Sequence, residues 1–118
     1  MKWEIHSEQD RRIYEVLKDI KEDDYMIALE KWEKIFKEKL TFPFEAMVED
    51  SDDGRPIQTG DRLKVHGIGM IDDLHGIIVD VRKGRKKYAF ELCLIEVFGD
   101  NEEMKQLVDD YSVWFANR

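Results

Sequence analysis

Carboxylates are the side chains of this sequence whose spacing most invites chemistry. Glu49-Asp50-x-Asp52-Asp53 puts four of them in five positions, and Asp72-Asp73 adds a second group. A hard cation such as Ca²⁺ takes six to eight oxygen ligands, which alternating carboxylates and loop carbonyls can supply. Crowded carboxylates repel one another, so a divalent ion would bind with relief of that repulsion. The plainer alternative is that short acidic loops solubilise the surface and hold nothing. An EF-hand loop does not fit in either frame. Counted from Glu49, Asp53 and Gly54 fall fifth and sixth as that loop requires, but Gly60 stands twelfth where a bidentate Glu belongs. Counted from Asp50, Asp61 is twelfth and Arg55 takes the glycine position. A calcium site here needs another geometry.

Other chemistries find less support. No CxxC, HExxH, GxSxG or GxxxxGK[ST] occurs, and Gly67-Ile68-Gly69 lacks the third glycine of a dinucleotide fingerprint. His66 and His75 could meet across a hairpin, although histidines on neighbouring strands are usually structural or solvated. Cys93, in an apolar stretch, reads as an inert thiol. As the single cysteine it excludes an intramolecular disulfide and suits a reducing compartment. No enzyme is expected. The 27 acidic against 19 basic side chains give a net charge of −8. That disfavours nucleic acid and anionic membrane, and leaves cations or a basic protein as partners. The run Arg82-Lys83-Gly84-Arg85-Lys86-Lys87 then reads as a solvated turn rather than a phosphate grip. No apolar run approaches the ~20 residues needed to span a bilayer, and no signal-peptide core opens the sequence. A cytoplasmic protein, monomeric or weakly self-associating, is expected.

These groups must be positioned by the elements around them. The 118 residues suit one domain. Residues 1–24 read as a helical extension, with Ser7 and Asp10 at capping-box spacing and Asp23 or Asp24 as the cap of a second helix. Over 25–41, Tyr25, Leu29, Trp32, Phe36 and Leu40 recur at helical intervals and predict a buried stripe. Thr41-Phe42-Pro43 ends that helix, because proline drives the preceding residue out of helical conformation. From Phe42 to 98 the period is two, with turn formers between four expected strands: Phe42–Val48, Arg62–Ile68, Gly76–Val81 and Lys86–Val97. Residues 99–118 predict a last helix, with Met104, Leu107, Val108, Tyr111, Trp114 and Phe115 on one face. The expected class is α+β: a small bent antiparallel sheet or SH3-like open barrel of about four strands, with N-terminal helices and a C-terminal one.

In a simple antiparallel meander, the start of the first strand, the turn after the second and the end of the fourth share one end of the sheet. That end would gather Glu45, Asp72-Asp73, Glu96 and Asp100. The other end would hold Glu49–Asp53 and Asp61 beside the basic turn, where opposite charges could pair and weaken the pull on a cation. Asp72-Asp73 is therefore expected to be the stronger end.

Several ordered segments also resemble a known family. They are Phe42-Pro43-Phe44-Glu45-Ala46, Gly60-Asp61-Arg62-Leu63-Lys64-Val65, Val81 to Tyr88, and Tyr111-Ser112-Val113-Trp114-Phe115-Ala116-Asn117-Arg118. Over Leu29–Arg118 the sequence is similar to the small bacterial calcium-binding proteins of the cyanobacterial type, which are not EF-hand proteins. The resemblance implies a Ca²⁺ binder with carboxylate ligands, and among the matching segments it touches only Glu45 and Asp61. Asp72, Asp73, Asp50, Asp52, Asp53 and Glu49 come from charge alone. The helix at Ser7–Lys21 falls outside the resemblance. Solvent-open loops predict affinity on the order of 10⁻⁶ to 10⁻⁴ M, which suits buffering. The alternative is an SH3-like interaction module whose acidic loops bind a basic partner.

Overall fold

Two of the helices begin where a side chain takes up amides left free in the first turn. The computed structural model describes residues 3–21 and 24–118. The Ser7 hydroxyl accepts from the Asp10 amide (3.1 Å), and the Asp10 carboxylate accepts from the His6 amide (2.9 Å). These two bonds, one to the N-cap side chain and one from the residue before it, open α1, Glu8–Leu17. Asp24 stands at the N-cap of α2, Tyr25–Lys39, with no side-chain cap bond. Asp23, the other expected cap, lies outside the described residues. The Asn101 side chain accepts from the Met104 amide (3.0 Å) and opens α3, Glu102–Asn117.

Apolar spacing places the core. Leu29, Trp32 and Phe36 of α2 are fully buried, and Trp32 packs on Tyr111 and Trp114 of α3 at centroid distances of 5.7 and 6.0 Å. Ile13 and Leu17 of α1 are buried in the same cluster as the sheet. The N-terminal helix is thus part of the packed body rather than an appended element. Its polar edge is anchored too. Arg12 donates twice to Asp110 (2.8 and 3.0 Å), and the Gln9 amide donates to Asp109 (2.7 Å) and Asp110 (3.0 Å). Asp110 is the one buried charged side chain among the described residues, held by donors on both carboxylate oxygens.

The class is α+β, with five antiparallel strands in one open sheet. They are β1 (Phe44–Val48), β2 (Arg62–Asp72), β3 (Gly76–Lys83), β4 (Lys86–Glu91) and β5 (Ile95–Val97), in the order β4-β3-β2-β1-β5. The expected fourth strand is two strands. Leu92–Leu94 winds into a single 3₁₀ turn packed against α3, with Leu92 fully buried. That turn moves the chain from one edge of the sheet to the other.

Register overturns the simple meander. Phe44 pairs with Val65 and Glu45 with Lys64, while β2 runs on to Asp72 opposite Gly76. Lys64 and Asp72 are therefore separated by about 26 Å of strand. Register shifts at Val65/Gly67 and Ile68/Met70 bend β2 between them. Glu45 and Asp72-Asp73 do not share an end.

Candidate metal centre

Each expected ligand has its own setting. Asp72 accepts from the amides of His75 (2.9 Å) and Leu74 (2.7 Å) on one oxygen, and these bonds hold its carboxyl below the usual range. It is thereby committed in part to its own turn. Asp73 is exposed beside it, and the Arg118 guanidinium reaches the Leu74 carbonyl (3.5 Å). His75 faces Glu91 at 3.8 Å, whereas His66 lies in the bulged part of β2; the two histidines are not paired with each other.

Asp61 is taken up by the basic turn. Lys83 at 2.7 Å and the Gln58 amide at 2.8 Å hold its carboxyl below the usual range. The same lysine donates to the Pro56 carbonyl (3.0 Å), which fastens the loop between β1 and β2. Asp50, Asp52 and Asp53 are exposed on that loop, with no side-chain partner among the described residues. Glu45 lies 3.7 Å from Arg62, whose guanidinium stacks 3.3 Å from the Phe98 ring centroid.

Glu49 is different. Its amide donates to the Leu94 carbonyl (2.8 Å), which carries the end of β1 alongside the start of β5. Met47 stands opposite Glu96, so Glu49 and Glu96 are diagonal neighbours on one face. Across from them α3 contributes Asp109. Glu49, Glu96, Asp100 and Asp109 line a cleft of about 480 Å³. Partial burial, then the charges of Glu96 and Asp109, push the Glu49 carboxyl above the usual glutamate range. Lys105 is the cation at this cleft, and it leans to Glu102 at 3.5 Å. No three His, Cys, Asp or Glu side chains among the described residues form a ready-made metal cage. An ion here would complete its shell with water and backbone carbonyls, as Ca²⁺ commonly does.

Glu96 carried a weak sequence signal through the alternation Ile95-Glu96-Val97. Asp109 carried none, because nothing local shows which strand a helix will face. The thiol of Cys93 is pushed up to about 11 by burial, so it stays protonated at neutral pH.

The comparison with known families decides the question of kinship. The CcbP family, described as calcium binding, matches residues 10–115. This chain belongs to the CcbP calcium-binding family. The match begins inside α1, so the N-terminal helix lies within the shared region and not outside it, as the motifs alone implied. No curated protein matches the sequence. Among solved structures, the crystal structure of Anabaena CcbP is 20% identical with a TM-score of 0.72, covering 98% of this chain and 96% of that one. A structure described as a calcium binding protein in the calcium-binding form is also 20% identical, with a TM-score of 0.71, covering 92% of this chain and 90% of the other. At that identity these structures establish a shared fold.

Proposed function

We propose that this CcbP-family chain binds Ca²⁺ directly on carboxylates, with the cleft of Glu49, Glu96 and Asp109 as its principal site. The observation that carries the placement is the gathering of Glu49, Glu96 and Asp109 around one cleft, where partial burial first, and then the charges of Glu96 and Asp109, raise the Glu49 carboxyl. The field that holds a proton there would hold a divalent cation more strongly. Asp50, Asp52 and Asp53 follow Glu49 on the exposed loop between β1 and β2 and form a further candidate group of carboxylates. Asp72 and Asp73 form a second candidate at the far end of β2, weaker because one Asp72 oxygen already serves two amides. Glu45 and Asp61 are engaged by Arg62 and Lys83 and contribute least. Open loops favour a modest-affinity cytoplasmic buffer over a sensor.

Calorimetric titration of Ca²⁺ into chelator-stripped protein at about 0.15 M salt, with Mg²⁺ as control, tests this reading. Saturable Ca²⁺ binding is expected, weakened about tenfold by Glu49→Gln with Glu96→Gln and less by Asp72→Asn with Asp73→Asn. A larger loss from the second pair would move the principal site to the β2–β3 turn. Equal weak heats for both ions would leave the carboxylates as a solvated surface.

A second reading is an SH3-like interaction module. The linkage of β4 to β5 by one 3₁₀ turn supports such a curl, and the partner-free Asp52 and Asp53 offer a docking point for a basic protein. Binding of a basic peptide that does not respond to Ca²⁺ would favour it.

A further inference from the structure

The outer face of the sheet carries a transverse row of charges that folding does not call for. Glu45 of β1, Lys64 of β2, Arg82 of β3 and Lys87 of β4 stand directly opposite one another across four strands. All are exposed, while Leu63, Val65 and Val81 turn to the core. Glu45 lies close to Arg62. Lys64, Arg82 and Lys87 have no ion-pair partner among the described residues. Strands lie about 4.8 Å apart, so three cations share roughly 10 Å.

Like charges directly opposite on adjacent strands destabilise a sheet. In a chain with 27 acidic and 19 basic side chains, such a row is not a by-product of composition. Lysine on an edge strand guards against edge-to-edge aggregation, which accounts for Lys87 on β4 but not for Lys64 and Arg82 inside the sheet.

Two clefts, of about 470 and 400 Å³, meet over the row and share His66 and Arg82. Val81, Tyr88 and Ala89 line the first beside Lys87, and Arg62 and Lys64 line the second. Asp80 in the first and Glu45 in the second bound the positive surface, which is therefore short.

We infer that this face binds a compact polyphosphate, two or three linked phosphate groups, with Lys64, Arg82 and Lys87 on the phosphate oxygens. Arginine offers a fork of donors matched to a phosphate edge, and the flanking lysines supply point charges. Screening confines attraction to about 8 Å at physiological salt, so a ligand of this size feels the row. An extended acidic peptide or a nucleic-acid strand would run past it onto carboxylates of an acidic body. The row lies on β2–β4, apart from the cleft between β1, β5 and α3, and the inference does not rest on calcium binding.

The probe is inorganic triphosphate, titrated calorimetrically into chelator-stripped protein at about 0.15 M salt, so that no bound cation recruits it. Saturable binding is expected, weakened about fivefold by Arg82→Gln or Lys64→Gln and unchanged by Lys34→Gln on α2. Arg82→Glu should abolish binding and raise the thermal midpoint by about 2–5 °C, because it puts an opposite charge between two lysines. Absence of saturable binding, or binding indifferent to these variants, overturns the inference. So does an Arg82→Glu protein no more stable than the parent. Hexaglutamate binding more tightly than triphosphate would overturn the phosphate assignment and point to an acidic peptide instead.

Discussion

Gly76 occupies a position that no side chain can enter. Its φ is +74°, and an added Cβ would fall 2.6 Å from a Phe115 ring carbon and closer still to the Tyr111 hydroxyl. That hydroxyl accepts a hydrogen bond from the Ile77 amide (2.9 Å), and burial pushes the phenol up so that it stays protonated. One tyrosine thus ties α3 to the start of β3 and fixes the turn bearing Asp72 and Asp73. Gly76→Ala is expected to lower stability by about 3 kcal/mol or more, combining overpacking with left-handed strain. Tyr111→Phe, which only orphans the Ile77 amide, should cost about 1–2 kcal/mol. Urea unfolding of both variants measures the difference, and equal costs would remove the steric argument for glycine.

At the scale of elements, the seam between α1 and α3 combines apolar packing with a buried charge. Removing one member of a fully buried ion pair costs about 3–5 kcal/mol, because the other charge is left without a partner. The Arg12 side chain is 37% exposed, so solvent compensates in part. Arg12→Met should therefore destabilise by about 2 kcal/mol. Adding Asp110→Leu should recover most of that loss, since the orphaned carboxylate is then gone. A double variant as unstable as the single one would show that the pair acts through shape rather than charge. Gln9, bonded to both Asp109 and Asp110, connects this seam to the proposed calcium cleft.

For the whole molecule, the carboxylates titrate in opposing directions. Asp61 and Asp72 sit below the usual range, held chiefly by Lys83 and by the His75 amide respectively. Their contribution to stability is full above the ordinary aspartate value near 3.9 and is lost as pH falls through their lowered values. Glu49 is raised, so its folded form holds the proton more tightly than the unfolded chain does. It therefore opposes folding as pH rises through that raised value, unless a cation replaces the proton. At a Ca²⁺ concentration about 100 times Kd, the ion should stabilise the protein by about 2.7 kcal/mol at neutral pH. That increment should fade on acidification before the ordinary glutamate value near 4.3 is reached. Thermal unfolding with and without Ca²⁺ at about pH 7, 5.5 and 4.5 measures it. In Glu49→Gln the increment should be smaller at neutral pH, and an increment that persists undiminished in the parent at about pH 4.5 would exclude Glu49 as a ligand.

Local physics made much of this protein readable without coordinates. The Ser7–Asp10 cap, the Tyr25-to-Leu40 stripe and the apolar face of residues 104–115 depend on neighbours three or four positions apart, and the structure places them as their spacing predicts. The acid excess that points to a cation is likewise a property of composition. Partnering is another matter. The 3₁₀ turn at Leu92–Leu94 splits one expected strand in two, and the continuation of β2 to Asp72, past the register of β1, carries Asp72 away from Glu45. Neither can be deduced from period-two alternation, since a strand pattern says which face a residue takes but not which strand lies beside it. The meeting of Glu49, Glu96 and Asp109 needs β5 to cross to the far edge and α3 to lie over it. Residues 49, 96 and 109 are distant in the chain, and only packing that closes such long loops brings their charges together.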